Sequence, residues 1–272
     1  MRRLFLCLLG LGVAAGLRAG DALRPATADE VALFKAAMLN GRQDTEHWAY
    51  TETSIQHLSK GHTSPDTVVR FDPSQPYAEQ FTPLQIDGKP PTGRQLKEYR
   101  QRGEKRGERV ARAAEAARNP AYVPRPVQVR IGGTSMIPDL EHPLVAAAAA
   151  DRLIFEVPVS SPRKDIPVDK FQVLVTVNRA AAAIENARFR IRESFRVKLI
   201  AKVKAGEASM DFTTVDPKYP PVLTTLTGDF DFSVLFIPIN GTFTRTRTDW
   251  KRVKSYNERL QVKIGPLEVL DF

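Results

Sequence analysis

Histidine is the first place to look for chemistry, and this chain has His47, His57, His62 and His142. His57 and His62 stand five apart, beside Lys60 and Gly61, with no carboxylate pair near them at metal-ligand spacing. A surface role suits them better than a metal site. Glu193 is a second candidate, as the one acid in a run of alternating apolar residues. It either looks into a cavity, with a raised pKa, or marks a strand end and faces water. The second reading is favoured. The only cysteine, Cys7, falls in the N-terminal apolar run, so a chain without that run has no thiol nucleophile, disulfide or thiolate ligand. No Gly-x-Ser-x-Gly elbow and no phosphate-cradling glycine loop is present. The chain is expected to be non-enzymatic, with no cofactor and no metal.

The elements that could build a binding site are easier to read. From 187 to 204, one set of alternate residues is Ala187, Phe189, Ile191, Glu193, Phe195, Val197, Leu199, Ala201 and Val203. The other set is Arg188, Arg190, Arg192, Ser194, Arg196, Lys198, Ile200, Lys202 and Lys204. A period of two sends these sets to opposite faces of a strand. A single strand here would span roughly 55 Å at 3.3 Å per residue. Either the strand is long and bent, or it breaks at Glu193-Ser194. A two-residue turn at Ala205-Gly206 is expected to follow, pairing Val203 with Ala208, Ala201 with Met210 and Leu199 with Phe212, all on one face.

Thr27-Ala28-Asp29-Glu30 spells a capping box, and apolar residues at helical spacing follow, predicting a helix over 29–39 that stops at Asn40-Gly41. Strands are expected over 47–56, 67–71 and 81–86, the last ended by Asp87-Gly88. Thr92 and Gln95 form a second capping box, opening a charged helical insertion over about 92–118. Its apolar stripe is thin, so it is read as a solvated helix. Gly103 and Gly107 each cost it about 1 kcal/mol against alanine. Their spacing is no membrane dimer motif, because their neighbours are charged. Pro143 and the alanines after it predict a short covering helix over 144–150. Beyond Asp151 the text is nearly all strand, with a hairpin turn expected at Asn240-Gly241 and a final strand over 259–264. In all, ten to twelve short strands form an antiparallel meander with one wet face.

Composition gives an address. Met1-Arg2-Arg3 followed by the apolar stretch 4–15 reads as a secretory signal, with residues 1–20 removed near Ala19 to Ala22. An exported chain without disulfides points to a periplasm. No later run approaches the length of a membrane-spanning helix. The formal charge is 40 − 31 = +9. Without Arg2, Arg3 and Arg18 it is 9 − 3 = +6. No nucleic acid is expected as partner there, whereas an anionic membrane surface is, through the basic sheet face.

Three stretches carry a resemblance: Phe71-Asp72-Pro73-Ser74; Ile86-Asp87-Gly88-Lys89-Pro90-Pro91-Thr92 with Leu96-Lys97-Glu98-Tyr99 behind it; and the run from Phe195 to Phe212. With the layout of capped helix, early strands, helical insertion and closing meander, the chain resembles the periplasmic lipoprotein-carrier family, the LolA-like half-barrels, in its uncharacterised proteobacterial secreted branch. Its relatives include the LolB-like receptors and the sensor domain of sigma-factor regulators. The resemblance implies an α+β fold over 21–272: a curved antiparallel meander forming an unclosed barrel, with helices covering an apolar concave face. It implies binding of lipid or lipoprotein acyl chains by Phe34, Met38, Phe189, Ile191, Phe195, Val197, Leu199, Met210 and Phe212. Two alternatives stay open. One is a structural or sensory envelope module with a packed core. The other is an outer-membrane barrel, which the terminal Leu270-Asp271-Phe272 would suit but the charged helix and the scarcity of girdle aromatics would not.

Overall fold

A computed structural model describes residues 23–43, 45–59, 64–119, 129–131, 134–163, 165–197, 201–235 and 237–259. The leader lies outside them, as does the expected strand over 259–264 apart from Arg259, which is the last residue of a helical turn. Three helices are described: α1 (Ala28–Gln43), α2 (Gly93–Ala117) and the single turn α3 (Tyr256–Arg259). The N-terminal strands are β1 (Arg24–Pro25), β2 (Trp48–Leu58), β3 (Thr67–Phe71) and β4 (Phe81–Ile86). Then come β5 (Val129–Ile131), β6 (Thr134–Pro138), β7 (Leu144–Ala148), β8 (Arg152–Glu156), β9 (Val159–Ser160) and β10 (Phe171–Asn178). The last are β11 (Ala183–Ile191), β12 (Phe195–Val197), β13 (Ala201–Thr213), β14 (Val222–Val234) and β15 (Ile237–Arg252).

Twelve strands make one antiparallel sheet, in the order β1-β7-β8-β10-β11-β13-β14-β15-β2-β3-β4, with β12 added beside β13. Among the described residues the sheet is open, not closed into a barrel. The last described strand, β15, pairs with the early strand β2. A small second sheet, β5-β6-β9, packs against the first through Met136 and Phe189.

One row of cross-strand partners crosses nine strands: Phe155, Val175, Ala187, Met210, Leu226, Arg245, Ser54, Thr67 and Ile86. Partners share a face, so this row defines the inner one. It is apolar up to Leu226 and turns polar at Arg245. The outer face is mostly polar, with exposed Arg188 and Arg190 on β11 and the partners Thr225, Thr246 and Thr53 on the later strands, and Ile154, Leu174, Ile55 and Val68 scattered among them. The alternation read from 187 onward therefore holds, as the version that breaks: β11 ends at Ile191, and Phe195–Val197 forms its own short strand. Glu193 is exposed beyond that end, 2.5 Å from Lys170 Nζ.

α1 lies on the inner face at the β7–β11 end. Its Phe34 and Ala37 are fully buried among Val145, Leu153, Phe155, Val175 and Ile184. Both halves of the capping box form: the Glu30 amide donates to Thr27 Oγ1 at 3.3 Å and the Thr27 amide to Glu30 Oε2 at 2.9 Å. Arg24 grips the same carboxylate through two nitrogens, at 2.7 and 2.8 Å. That bond from Arg24 draws the Glu30 pKa from 4.5 down to about 2. A depressed acid stabilises the fold above its unfolded pKa and stops doing so as pH falls through the folded one. The cap is accordingly in full force above about pH 4.5 and is lost towards about pH 2. Carboxyl-detected NMR is expected to place the Glu30 midpoint near 2, and Arg24→Ala to return it towards 4.5.

Four expectations need correction. Residues 144–148 are a strand, not a covering helix, because pairing to β1 and β8 outweighs the helix propensity of alanine. α1 does not stop at Asn40-Gly41 but runs on to Gln43. No turn occurs at Ala205-Gly206: β13 passes through it, with a bulge after Val203. Val203 pairs with Phe195, Ala208 with Phe189, and Met210 with Ala187. Both registers put apolar partners on one face, so alternation alone could not separate them. Gly206 sits close to Ile191, whose Cδ1 a Cβ would approach to 3.1 Å.

Asn240-Gly241 is likewise inside β15, and the reversal follows Val234, which pairs with Ile237. Leu235 takes the left-handed φ of +48° there. Gly241 sits under the Phe230 ring, where a Cβ would come within 2.6 Å, and Gly228 sits under Phe243 at 2.5 Å. These glycines let two aromatic rings lie flat across the neighbouring strand.

Candidate functional site

Three adjoining hollows open on the inner face. The first lies under α1 and has a volume of about 150 Å³. Phe34 and Met38 roof it, Val173, Val175 and Ala187 floor it, and Met136 of the small sheet closes one side. Its walls are almost wholly apolar. An engineered apolar cavity of about 150 Å³ stays dry and admits benzene, so this hollow alone accommodates only a few methylenes.

Phe212 lines both this hollow and a second, larger one of about 390 Å³. The second is walled by Trp48, Tyr50, Phe71, Phe81 and Trp250. Their rings form a connected set: Tyr50 is 4.9 Å from Trp250 and 5.2 Å from Phe71, and Phe71 is 5.0 Å from Phe81. Such tilted contacts are favoured by the ring quadrupoles. Burial pushes the Tyr50 hydroxyl pKa up. Arg247 lies 4.6 Å over the Tyr50 ring and donates to Glu52 at 2.9 Å.

Tyr50, Phe71 and Phe81 also line the third hollow, about 250 Å³, whose far wall is Tyr99 and Arg102 of α2 and Arg245 of β15. The floor thus changes from aliphatic under α1, to aromatic in the middle, to cationic beside α2.

α2 is positioned by the two glycines that read as a cost in the sequence. Gly103 is buried against the 3-10 turn Tyr77–Glu79, where a Cβ would meet Tyr77 O at 2.0 Å. A Cβ on Gly107 would stand 2.8 Å from the Tyr77 ring. Between them Arg106 reaches in, donating to buried Gln80 Oε1 and to Glu46, each at 2.5 Å, while lying 5.4 Å over Phe71. Asn257, just before the chain leaves the described region, donates to Tyr77 Oη at 2.8 Å. The rest of α2 is solvated as expected, and its capping box forms.

Of the nine residues expected to line a cavity, Phe34, Met38, Phe189, Met210 and Phe212 meet around the first hollow. Ile191 and Val197 pack instead against the cluster of Met136, Ile166 and Phe189. Phe195 stands edge-on to Phe171 at 5.2 Å. The break in the strand after Ile191 carries Phe195 and Val197 away from the cavity. Leu199 lies outside the described residues. The aromatic hollow was missed, since its walls come from β2, β3, β4 and β15, and Trp250 of β15 reaches the others only through the long-range β15–β2 pairing. Of the histidines, His47 contacts Glu258 at 2.7 Å and His142 contacts Asp139 at 3.0 Å; His62 lies outside the described residues. His57 is exposed on β2. No helix among the described residues is long and apolar enough to cross a membrane. No protein-family model matches the chain, and no curated protein or solved structure matches it.

Proposed function

We propose that this chain is a non-enzymatic periplasmic protein that holds the acyl chain of a lipid or lipoprotein along its inner sheet face. In this reading the sheet is a curved half-barrel of the lipoprotein-carrier kind, and α1 and α2 cover its concave side. The observation that carries the proposal is continuity. Phe212 joins the hollow under α1 to the aromatic hollow, and Tyr50, Phe71 and Phe81 join that to the hollow beside α2. The middle hollow, about 390 Å³, is of the size that small-molecule sites have. Each methylene moved out of water contributes about 0.8 kcal/mol, so a long chain offers roughly 10 kcal/mol before ordering costs. The polar outer face would then meet water or an anionic membrane surface. Several of its cations are already neutralised, as Arg188 is by Glu207 and Arg192 by Glu156, which limits how much charge it presents.

The test uses delipidated protein and a fluorescent fatty acid. Saturable uptake is expected, with at least a tenfold loss in Phe212→Asp, a half-buried position at the junction. Circular dichroism separates lost binding from lost fold. Absence of uptake by the unaltered protein sinks the proposal. The small volume under α1 favours a second reading, a sensory or structural module whose core is filled by its own side chains. Lipid co-purifying in native mass spectrometry separates the two.

A further inference from the structure

The aromatic and cationic hollows together contain four arginines, Arg102, Arg106, Arg245 and Arg247, against two carboxylates, Glu46 and Glu52. The carboxylates are already engaged: Glu46 with Arg106 at 2.5 Å and Glu52 with Arg247 at 2.9 Å. That leaves Arg102 and Arg245, both lining the third hollow, and among the described residues no carboxylate pairs with either. Arg102 is held over the Tyr99 ring at 4.5 Å, which fixes its plane without neutralising it. Arg245 rises from the inner face of β15 between Leu226 and Ser54, where the row of cross-strand partners turns from apolar to polar. Two unpaired cations are thus set on facing elements, α2 and the sheet, at one end of an aromatic hollow. Ser54 and Thr67 supply hydroxyls in the same wall.

We infer that this end of the trough receives the acidic head of an amphiphile, a carboxylate or phosphate gripped by Arg102 and Arg245, with its tail laid over Tyr50, Phe71 and Phe81. The inference rests on the acyl-chain reading above and adds polarity and direction to it. A guanidinium matches either head with two parallel, charge-assisted hydrogen bonds. The apolar floor alone would accept a neutral amphiphile equally well, so the arginines decide between acidic and neutral ligands. Their place at the α2 end points the tail towards Phe212 and α1.

The chain has two tryptophans, Trp48 and Trp250, and both line the aromatic hollow, so their emission reports its occupancy. A long-chain fatty acid, the matching alkyl phosphate, the methyl ester of the acid and inorganic phosphate are each titrated. Either acidic amphiphile is expected to bind at least tenfold tighter than the ester, and the tighter of the two identifies the head. In Arg102→Gln/Arg245→Gln, both at exposed positions, the acidic ligands are expected to fall to the affinity of the ester, with the ester unchanged. Equal binding of acid and ester by the unaltered protein overturns the inference and leaves the acyl-chain reading standing. An equal loss for acid and ester in the double variant overturns it as well. Inorganic phosphate binding as tightly as the amphiphiles assigns the arginines to a free anion and overturns it too. Failure of every amphiphile removes both readings.

Discussion

Phe34→Ala is expected to lower the unfolding free energy by about 3–5 kcal/mol, the range for removing a buried phenylalanine. Phe34 is fully buried, and its ring lies 5.0 Å from Phe155. It is the side chain by which α1 reaches the sheet, and it roofs a hollow that already exists. The lost ring would enlarge that hollow, leaving Phe155 and Val175 short of contacts. The control is Leu39→Ala, one residue from the buried stripe and 55% exposed. It is expected to change stability by less than about 0.5 kcal/mol. Urea unfolding measures both, with the slope m showing whether the two variants unfold from equally compact states. A loss under about 1 kcal/mol for Phe34→Ala would mean that α1 is not anchored through this ring.

Gly103→Ala should reverse the usual sign of a glycine replacement. At an open helix position the change stabilises by up to about 1 kcal/mol. Here the new Cβ would lie 2.0 Å from the backbone oxygen of Tyr77, which cannot rotate away as a side chain could. α2 must shift outward, carrying Arg106 from Gln80 and Glu46 and Arg102 from the third hollow. The expected result is a loss of about 1–3 kcal/mol, with faster proteolysis inside α2. Gly107→Ala is the graded comparison, because its obstacle is the Tyr77 side chain at 2.8 Å and not a backbone oxygen at 2.0 Å. A stabilised Gly103→Ala would show that α2 does not rest on this turn.

What could be read from residue order alone was whatever local chemistry decides. The two capping boxes at Thr27 and Thr92 work over three residues and both form. β3 and β4 occupy 67–71 and 81–86 as expected, with the chain reversing at Asp87-Gly88. Decisions taken between distant segments were not readable. Ala205-Gly206 and Asn240-Gly241 look like turns, yet both pairs lie within long strands whose neighbours need room for Ile191 and Phe230. Gly103 and Gly107 carry no local sign that Tyr77, far back in the chain, will rest on them. For the same reason the alternation from Ala187 onward pointed to the hollow under α1, while the aromatic walls stayed hidden in separate strands.

Among the described residues the sheet ends in two rims of backbone amides with no further strand paired to them, and another molecule could extend such a rim strand by strand into a fibre. At one rim β1 is two residues long and its second is Pro25. At the other, β4 carries Pro83 in mid-strand, and Pro90 and Pro91 follow soon after. Proline offers no amide hydrogen, so neither rim presents an unbroken row of donors. At these two rims, copies of this chain therefore have little on which to template one another.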